Sequence, residues 1–467
     1  MTLWVEVGDL LDYAAVRKRL SGIQRLAFEL CRALAGTPGV RFCRAAPPRG
    51  TLLAVDWAEL AALYDRLSGG DAAPTADATG HAVVLSHLHP LPVPRRRGAV
   101  RRAAGRLPQA VRFPLARATL AQQAALVNLG QALGGLVGLM PGLANRAGRD
   151  APVVREAVAP AAGDTLLIPG APWSHPSYGA ALGRLKARFR LRVAMIVYDL
   201  IAVNHPEWSD PGLIRSFGPW LRGTLPQADH VLAISQATAR DLADHVAREG
   251  IDPAPAISVF PVGAGFGLPR DVSPAVPPPA GDPGYVLFVS TLEARKNHAL
   301  AFRAWRRLLS ELPPEAVPRL VFAGGTGWLV QDLLGQIRNT AHLGGKLVTI
   351  GTPSDAELRL LYRDCRFTLF PSFSEGWGLP VTESLSFGRV CIASDRGAVP
   401  EAGGEFCLYI DPDNVSAATA VLRDAIAQPG RIAALEDRIR EEYRPRPWAD
   451  VAAEVRALLP GAGQQAP

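Results

Sequence analysis

Two glutamates and two adjacent cations are the residues of this sequence best suited to hold a charged, hydroxyl-rich ligand. Glu375 and Glu383 have seven residues between them in the segment FSEGWGLPVTES, which follows an apolar run. Arg295 and Lys296 follow another apolar run, YVLFV at 285–289. Carboxylates accept hydrogen bonds from sugar or ribose hydroxyls, and adjacent cations neutralise a diphosphate. The four side chains therefore indicate a site for a ligand that carries both kinds of group.

The elements that must position these residues are short apolar runs alternating with helix-like runs in the second half of the chain. The predicted strands are Tyr285–Val289, Leu320–Phe322, Leu347–Ile350, Phe367–Phe370 and Val390–Ala393. The predicted helices are Asn297–Leu309, Trp328–Asn339, Asp355–Tyr362 and Pro380–Phe387. This alternation is typical of a doubly wound parallel sheet, which binds its ligands at the carboxyl ends of its strands.

Turn and cap signals place the two glutamates more closely. Pro380 suits the first position of a helix, and Gly388 suits the residue just past its last turn. We therefore expect Glu375 in a loop and Glu383 in the first helical turn, where free N–H groups attract phosphate. Gly376 and Gly378 are expected to let the backbone approach that phosphate closely.

Length and composition indicate a folded chain of two or three domains. The 467 residues are 48% hydrophobic and 20% charged, which disfavours disorder. The net charge of +7 is a modest basic excess that suits anionic substrates or a phospholipid surface as well as nucleic acid. The five cysteines form no C-x-x-C pair and fit a reducing compartment. The start, MTLWVEVGDLLDY, lacks the basic region of a signal peptide.

The first half predicts a second α/β domain. Its predicted strands are Leu3–Val7, Thr165–Ile168, Arg192–Val197, His230–Ile234 and Ala256–Phe260, and its first clear helix is Ile23–Leu34. We expect the N-terminal domain at 1–266, a Pro- and Gly-rich linker at 267–284 and the C-terminal domain at 285–445. Residues 446–467 are expected to form a helix that crosses back to the N-terminal domain, followed by a tail.

A segment of the first half fits this scheme poorly. Residues 93–112 are strongly basic, and no charged residue occurs between 118 and 145. Glutamines and glycines make this stretch unsuitable as a membrane span. Two interpretations stay open: a helical insertion at about 93–150 that packs on the N-terminal domain, and a basic interfacial patch at an anionic membrane.

Together these motifs resemble the retaining, nucleotide-sugar-dependent glycosyltransferases of family 4, glycosyl transferases group 1, which have the two-domain GT-B fold. EGWGLPVTES matches the E-x7-E motif of the family, and STLEARKNH resembles its diphosphate-binding Arg/Lys segment. GTPSDAELRLLYRDC at 351–365 resembles the segment whose backbone contacts the base, and SDRGAVPEAGG at 394–404 follows in the usual order. The resemblance is strong over residues 285–430 and weaker in the first half.

The resemblance implies a role for each matching residue. Arg295 and Lys296 would hold the donor diphosphate and stabilise its charge as it leaves. Glu375 would face the hydroxyls of the transferred sugar. The nucleotide-sugar-binding set would comprise Glu383 at the ribose together with Gly376, Trp377, Gly378, Leu379, Thr352, Gly22 and Ser290. Retention is attributed in this family to same-face attack, with the donor phosphate taking the proton of the acceptor, and it requires no metal or other cofactor.

The N-terminal domain is expected to supply a polar group near the anomeric carbon. Asp199 is the first candidate and His205 the second, with Tyr198 beside them at the end of the strand 192–197. His87 and His89 are further polar candidates, although a capping or core role is common for such histidines.

Two other motifs bear on the donor site. Gly22, flanked by Arg19 and Arg25, resembles the Gly-rich loop of the family, although many members have two glycines where this chain has one. Asp411 and Asp413 form a D-x-D pair, which marks a metal site in the other glycosyltransferase fold. Here the pair is predicted to form a turn that leads into a helix cap.

The resulting expectation is an enzyme of polysaccharide biosynthesis that transfers a hexose to a glycan or a lipid-linked saccharide. The segment LEARKN resembles the corresponding segment of mannosyltransferases in this family, which favours GDP-mannose as the donor. The alternatives are a UDP-hexose or deoxyhexose donor, a sugar-nucleotide epimerase or hydrolase on the same fold, and a non-enzymatic scaffold. We expect a cytoplasmic protein without nucleic-acid partners, peripheral at the inner face of the plasma membrane if the basic segment is interfacial.

Overall fold

The computed structural model describes residues 1–16, 20–46, 50–68, 155–175, 177–263 and 282–459. Several features of the sequence lie outside this part of the chain: the two histidines His87 and His89, Arg19, the basic and uncharged segment at 93–145, and the predicted linker up to residue 281. Within the described residues, no helix combines the length and apolar character that a membrane span requires.

The N-terminal elements build an eight-stranded sheet. Its strands are β1 (Leu3–Glu6), β2 (Val40–Ala46), β3 (Thr51–Val55), β4 (Ala157–Val158), β5 (Thr165–Ile168), β6 (Arg192–Val197), β7 (His230–Ala233) and β8 (Ala256–Val259). The helices are α1 (Gly8–Val16), α2 (Gly22–Leu34), α3 (Trp57–Ser68), α4 (Tyr178–Phe189), α5 (Ile201–Asn204), α6 (Pro211–Thr224) and α7 (Gln236–Glu249). The strand order is β4-β3-β2-β1-β5-β6-β7-β8.

The C-terminal elements build a six-stranded sheet. Its strands are β9 (Tyr285–Val289), β10 (Arg319–Ala323), β11 (Leu347–Ile350), β12 (Thr368–Phe370), β13 (Cys391–Ser394) and β14 (Cys407–Ile410), in the order β11-β10-β9-β12-β13-β14. The helices are α8 (His298–Glu311), α9 (Gln331–Asn339), α10 (Ala341–Gly344), α11 (Asp355–Asp364), α12 (Leu379–Ser386), α13 (Val399–Gly403), α14 (Val415–Ala427), α15 (Pro429–Glu442) and α16 (Trp448–Leu458).

The prediction of two doubly wound α/β domains is confirmed. All described pairings of the second sheet are parallel, and its central strands are buried because helices cover both faces. Each strand predicted in the second half is present within one or two residues of its expected ends.

One edge of the first sheet is antiparallel. Strands β2, β3 and β4 pair in antiparallel fashion. The sequence analysis did not predict any of them, because proline and glycine interrupt residues 36–50 and the two-residue β4 has no periodicity of its own. This edge lies three or more strands away from β6, which leads to the candidate site.

The last helix is tied to the N-terminal part of the chain. Helix α16 packs against α2, and its buried residues belong to the same apolar core. The Arg446 guanidinium donates a hydrogen bond of 2.7 Å to the carbonyl oxygen of Pro261, and the Trp448 ring lies so close to Gly263 that a side chain there would clash with it. The C-terminal residues therefore link the two sheet regions in addition to the direct chain connection.

Candidate functional site

A cavity of about 550 Å³ lies between the carboxyl ends of the two sheets. Of the residues predicted for the site, all that lie in the described part of the chain line this cavity, except Thr352 and His205. The predicted residues in its wall are Gly22, Tyr198, Asp199, Ser290, Arg295, Lys296, Glu375, Gly376, Trp377, Gly378, Leu379 and Glu383. Residues that are far apart in the sequence therefore meet in one cavity at the edge where open α/β sheets bind ligands.

Glu375 forms the centre of a buried ion-pair cluster. Its carboxylate accepts hydrogen bonds of 2.6 Å from Arg295 Nη1 and 2.6 Å from Lys296 Nζ. Burial alone would raise the pKa of Glu375, but the charges of Arg295 and Lys296 lower it to about 2. Glu375 is consequently ionised at any physiological pH.

The cations are held by the backbone as well as by carboxylates. Arg295 and Lys296 lie in a short 3-10 turn, Ala294–Lys296, directly after β9. Arg295 also donates to Glu293 Oε1 at 2.8 Å and to the carbonyl oxygen of Ser374 at 2.7 Å. Asn297 caps the following helix by accepting from Leu300 N. The guanidinium is therefore fixed in place before any ligand arrives.

Glu383 lies in a different environment at the other end of the motif. Helix α12 begins at Leu379, so Glu383 is in its second turn, and the prediction of the first turn was wrong. Its carboxylate accepts a hydrogen bond of 2.7 Å from the hydroxyl of Tyr362, which is fully buried. Burial raises the pKa of Glu383 to about 7, although the nearby charge of Arg25 and the Tyr362 hydroxyl oppose the shift.

The two glycines of the motif stand at positions that restrict side chains. A side chain at Gly376 would lie only 2.0 Å from the carbonyl oxygen of Tyr198 and 3.0 Å from Asp199 Cβ. Gly376 therefore permits close approach of the N-terminal loop, rather than only that of a phosphate. Gly378 has φ +129°, a conformation that other residues rarely adopt, and it precedes the first residue of α12.

Two helix N-termini face each other across the cavity. Gly22 is the first residue of the 13-residue helix α2, and Leu379 is the first residue of α12. A Cβ atom at Gly22 would lie 3.9 Å from the Leu379 side chain, so the two ends are in van der Waals reach. The partial positive charge of both helix ends therefore lies at the wall of the cavity that Arg295 and Lys296 also line.

Asp199 and Tyr198 are the N-terminal candidates that reach the cavity. Asp199 Oδ1 accepts from Ile201 N at 3.0 Å. Burial raises the pKa of Asp199, against the lowering influence of Arg295. The Tyr198 hydroxyl donates to the carbonyl oxygen of Pro169, so it serves the N-terminal core. Asp199 is thus the better placed of the two to meet a ligand.

Ser290 and its neighbour His298 form a further part of the donor-side wall. The Ser290 hydroxyl lies 3.3 Å from His298 Nε2. The imidazole is stacked on Phe288 with ring centroids 4.1 Å apart, and burial followed by the Lys296 charge lowers the pKa of His298 to about 3. A neutral imidazole therefore orients the serine hydroxyl.

Three predicted or considered residues lie elsewhere. Thr352 is exposed and does not line the cavity. His205 also lies outside it and stacks on Trp208 at 4.3 Å. Asp411 accepts hydrogen bonds from Arg396 and from the backbone N–H of Asp413, and Asn414 caps α14. The D-x-D pair is therefore a turn before a helix cap, as predicted.

The structure adds contacts across the cleft that the sequence analysis did not predict. Arg25, which was named only as a neighbour of Gly22, forms a bidentate pair with Asp355 at 3.0 and 2.8 Å. The indole N–H of Trp328 donates to the carbonyl oxygen of Trp208 at 2.8 Å. These pairs hold the two walls of the cavity together.

A third such contact joins α13 to the start of α7. The Glu401 carboxylate accepts from Gln236 N at 2.7 Å and from Ala237 N at 2.8 Å. It therefore binds the free N–H groups at the N-terminus of a helix that belongs to the other sheet. In the sequence, Glu401 is simply the acidic residue of the PEAGG stretch, and nothing nearby indicates its partners. Those partners are 165 and 164 positions away along the chain.

Part of the chain that forms this site matches a known protein family. Residues 270–444 match the family Glycosyl transferases group 1. This region is a glycosyl transferases group 1 domain. The group 1 domain contains Arg295, Lys296 and both glutamates, whereas Gly22 and Asp199 come from outside it.

Relatives of the chain include mannosyltransferases. The serotype-specific mannosyltransferase WbdA of Escherichia coli is 30% identical over 225 residues, which is 46% of this chain and 27% of that protein. The O-antigen chain mannosyltransferase B of Escherichia coli is 34% identical over 139 residues, 29% of this chain and 35% of that protein. The matches thus span only about a quarter to a third of these relatives.

Solved structures show a more distant likeness. Anabaena Alr3699/HepE, in complex with UDP, is 16% identical over 63% of this chain and 78% of that chain, with a TM-score of 0.48. A TM-score below 0.5 supports no inference about the ligand of the group 1 domain.

Proposed function

We propose that this chain is a retaining glycosyltransferase that moves mannose from GDP-mannose to a glycan or lipid-linked saccharide in polysaccharide biosynthesis. The observation that carries the proposal is the convergence of two cations, two carboxylates and two helix N-termini on one cavity next to Asp199. The group 1 domain supports glycosyl transfer, and the mannosyltransferase relatives favour mannose.

The diphosphate of the donor is proposed to bind Arg295 and Lys296 between the two helix N-termini. An ammonium group has three N–H donors and a guanidinium has five, so both cations can bind phosphate oxygens in addition to Glu375. The charge on the leaving diphosphate is then stabilised by groups that are already oriented. This arrangement provides the positive charge from the chain itself, and the proposed reaction uses no metal.

Glu375 and Glu383 are proposed to bind opposite ends of the same donor. Glu375 lies beside both cations and next to the loop of Asp199, which suits the hydroxyls of the transferred sugar. Glu383 lies one turn inside α12, near Arg25, and is proposed to bind the ribose.

Bond formation is proposed to occur on the face from which the diphosphate leaves. The bond between the anomeric carbon and the phosphate oxygen breaks, and the acceptor oxygen bonds to the same carbon on the same face. The acceptor proton passes to an oxygen of the leaving phosphate, so no protein base is required. Asp199 accepts a hydrogen bond from a nearby hydroxyl and holds it in place.

A screen of nucleotide sugars followed by product analysis tests the proposal. GDP-mannose should raise the melting temperature more than UDP-glucose, UDP-galactose or GDP-fucose, since a ligand that binds only the folded state stabilises it. With an α-mannoside acceptor, the product should carry a new mannose in the α configuration of the donor. A preference for a UDP-hexose or a deoxyhexose donor would change the assignment of the donor and leave the proposal of glycosyl transfer in place.

Variants and controls separate the remaining alternatives. Lys296→Ala should lower kcat by about a hundredfold or more, whereas the control Arg306→Ala, on the exposed side of α8, should leave it unchanged. Turnover of the nucleotide sugar without acceptor would indicate an epimerase or a hydrolase. Transfer that is equally fast in Lys296→Ala would contradict the proposed site. The cytoplasmic location and the peripheral membrane contact remain predictions.

A further inference from the structure

The cavity has two walls of unlike chemistry. The donor side carries Arg295, Lys296, Glu293, Glu375 and Glu383. On the opposite side the lining residues come from the turn before α4, from α5 and from α6. We call this surface the apolar wall; it comprises Trp173, Ile201, Ala202, Leu213, Phe217 and Trp220. Among the described residues that line the cavity, no charged side chain belongs to this wall.

The aromatic rings of the apolar wall form a packed group. The ring centroids of Trp173 and Phe217 are 5.4 Å apart, those of Phe217 and Trp220 are 5.5 Å apart, and those of Trp173 and Trp220 are 6.0 Å apart. The Trp173 ring meets both others edge-on, at 68° and 71°. Such mutual contacts fix the rings. The wall is therefore formed in advance and does not need a ligand to assemble it.

Two indole N–H groups of the cavity lining have unused hydrogen-bonding capacity. Trp220 is 4% exposed and Trp377 is 9% exposed. The Nε1 atoms of both are buried and, among the described residues, have no hydrogen-bond partner. A buried donor without a partner is costly, so a ligand oxygen that reached either N–H group would be bound favourably.

A free saccharide is a poor match for this surface. Every hydroxyl of a pyranose loses water on binding and requires a new hydrogen-bond partner. Apart from indole N–H groups, the side chains of the apolar wall offer hydrocarbon and aromatic faces only. A hydrocarbon group gains affinity there, at about fourfold for each methylene removed from water.

We propose that the apolar wall binds a hydrocarbon group carried by the acceptor, so that the substrate is an amphipathic glycoside rather than a free sugar. This inference rests on the proposed glycosyltransferase function and names the acceptor class for that site. The sugar end lies toward Asp199 and the donor, and the hydrocarbon end lies against Trp173, Leu213 and Phe217. An aliphatic chain and an aromatic aglycone share this chemistry, and the acceptors in the test distinguish them.

Transfer kinetics with matched acceptors form the first test. Methyl, octyl and phenyl α-mannosides are compared below their micelle-forming concentrations. The octyl or the phenyl glycoside should exceed the methyl glycoside in kcat/KM by about tenfold or more, and the better of the two identifies the hydrocarbon type. Equal values for all three acceptors would overturn the proposal while leaving glycosyl transfer intact.

A pair of leucine variants locates the effect. Leu213→Gln places an amide in the half-buried part of the apolar wall and should lower the octyl-to-methyl or phenyl-to-methyl ratio about threefold or more. Leu435→Gln makes the same change at a half-buried position of α15 outside the cavity and should leave the ratio unchanged. A ratio that is insensitive to Leu213→Gln would contradict the assignment to this wall.

A binding measurement tests the apolar wall independently of transfer. A bromoalkyl mannoside quenches tryptophan fluorescence on contact, so it should quench the wild-type protein with saturation and quench Trp173→Phe less. Absence of saturable quenching overturns the acceptor inference. Saturable quenching without any donor binding or transfer would instead reject the proposed function and keep the apolar site.

Discussion

The loop that carries Glu375 and the helical turn that carries Glu383 have opposite electrostatics, although only seven residues lie between the two acids. Glu375 lies against two cations at 2.6 Å, and its pKa falls to about 2. Glu383 bonds to a neutral tyrosine hydroxyl, and burial raises its pKa to about 7. Two glutamates of one motif therefore have very different pKa values.

The difference shows that neighbouring groups set the chemistry of each acid. A glutamate ionised at all physiological pH values is suited to permanent interaction with cations and sugar hydroxyls. A glutamate that titrates near neutrality can bind ribose hydroxyls most strongly only above its pKa. The motif therefore combines a constant acceptor with a pH-sensitive one, both directed into the same cavity.

Removing the charge of Glu375 should produce the largest effect. Glu375→Gln leaves Arg295 and Lys296 without their shared partner in a mostly buried site, which should cost about 3 kcal/mol of unfolding free energy at pH 7. Transfer should also fall by about a hundredfold. Denaturant unfolding and steady-state kinetics measure the two effects.

The matched change Glu383→Gln should destabilise the protein much less at pH 7. Because the folded-state pKa of Glu383 is raised above 4.5, its stabilising contribution is complete below that pH and is lost as the pH rises through about 7. For Glu375 the sign is reversed: its contribution is complete above 4.5 and is lost as the pH falls toward 2. Similar losses for both variants at pH 7 would contradict the comparison.

Tyr362→Phe should sharpen the comparison on the Glu383 side. The change removes one hydroxyl and with it the hydrogen bond to Glu383, while the buried ring stays in place. We expect nucleotide-sugar affinity to fall about tenfold, because the carboxylate loses its orientation. Calorimetry measures the affinity, and Tyr409→Phe, whose hydroxyl bonds to Gly404 outside the cavity, serves as the control.

Donor affinity should depend on pH through Glu383. Between pH 6 and pH 8 the carboxyl loses its proton, and affinity for an intact nucleotide sugar should rise about fivefold. Arg25, Asp355 and Tyr362 are the neighbouring groups that influence this titration. Calorimetric titrations across that range should show a donor affinity that does not change with pH in Glu383→Gln. If the affinity of that variant rose with pH as it does in the wild type, the pH dependence would belong to another group.

The smallest expected effect concerns the contact between the two walls. Glu401→Gln removes the charge that binds the N-terminus of α7, which is worth about 1 kcal/mol or less. If this contact favours the closed cleft, KM for the donor should rise about two- to threefold with little change in kcat. Glu405→Gln, an exposed change nearby, provides the control; equal KM values in both variants would reject a role for Glu401.

The sequence was sufficient to predict the donor side of the cavity because that side depends on local patterns. Apolar strands that are buried on both faces are recognised without knowledge of their partners, and ligands bind where such strands end. Arg295, Lys296 and Glu375 were therefore expected at one sheet edge, and they meet there.

The remaining parts of the site depend on contacts between distant segments. Arg25 and Asp355 are 330 positions apart, and neither has a local pattern that indicates the other. The close contact at Gly376 could not be predicted for the same reason, since the Tyr198 carbonyl that approaches it comes from the other sheet region. The apolar wall is likewise assembled from several short helices whose hydrophobic residues are typical of any core.

Donor analogues that each lack one hydroxyl give the most direct test of the proposal that Glu375 binds the transferred sugar and Glu383 binds the ribose. We would measure kcat/KM for wild type, Glu375→Ala and Glu383→Ala with a deoxymannose donor and with a deoxyribose donor. The sugar deletion should reduce wild-type activity but cause little further loss in Glu375→Ala, and the ribose deletion should behave in the same way with Glu383→Ala. The account would be contradicted if the loss from each hydroxyl deletion simply added to the loss from both variants. It would also be contradicted if the sugar deletion caused no further loss in Glu383→Ala, or the ribose deletion none in Glu375→Ala.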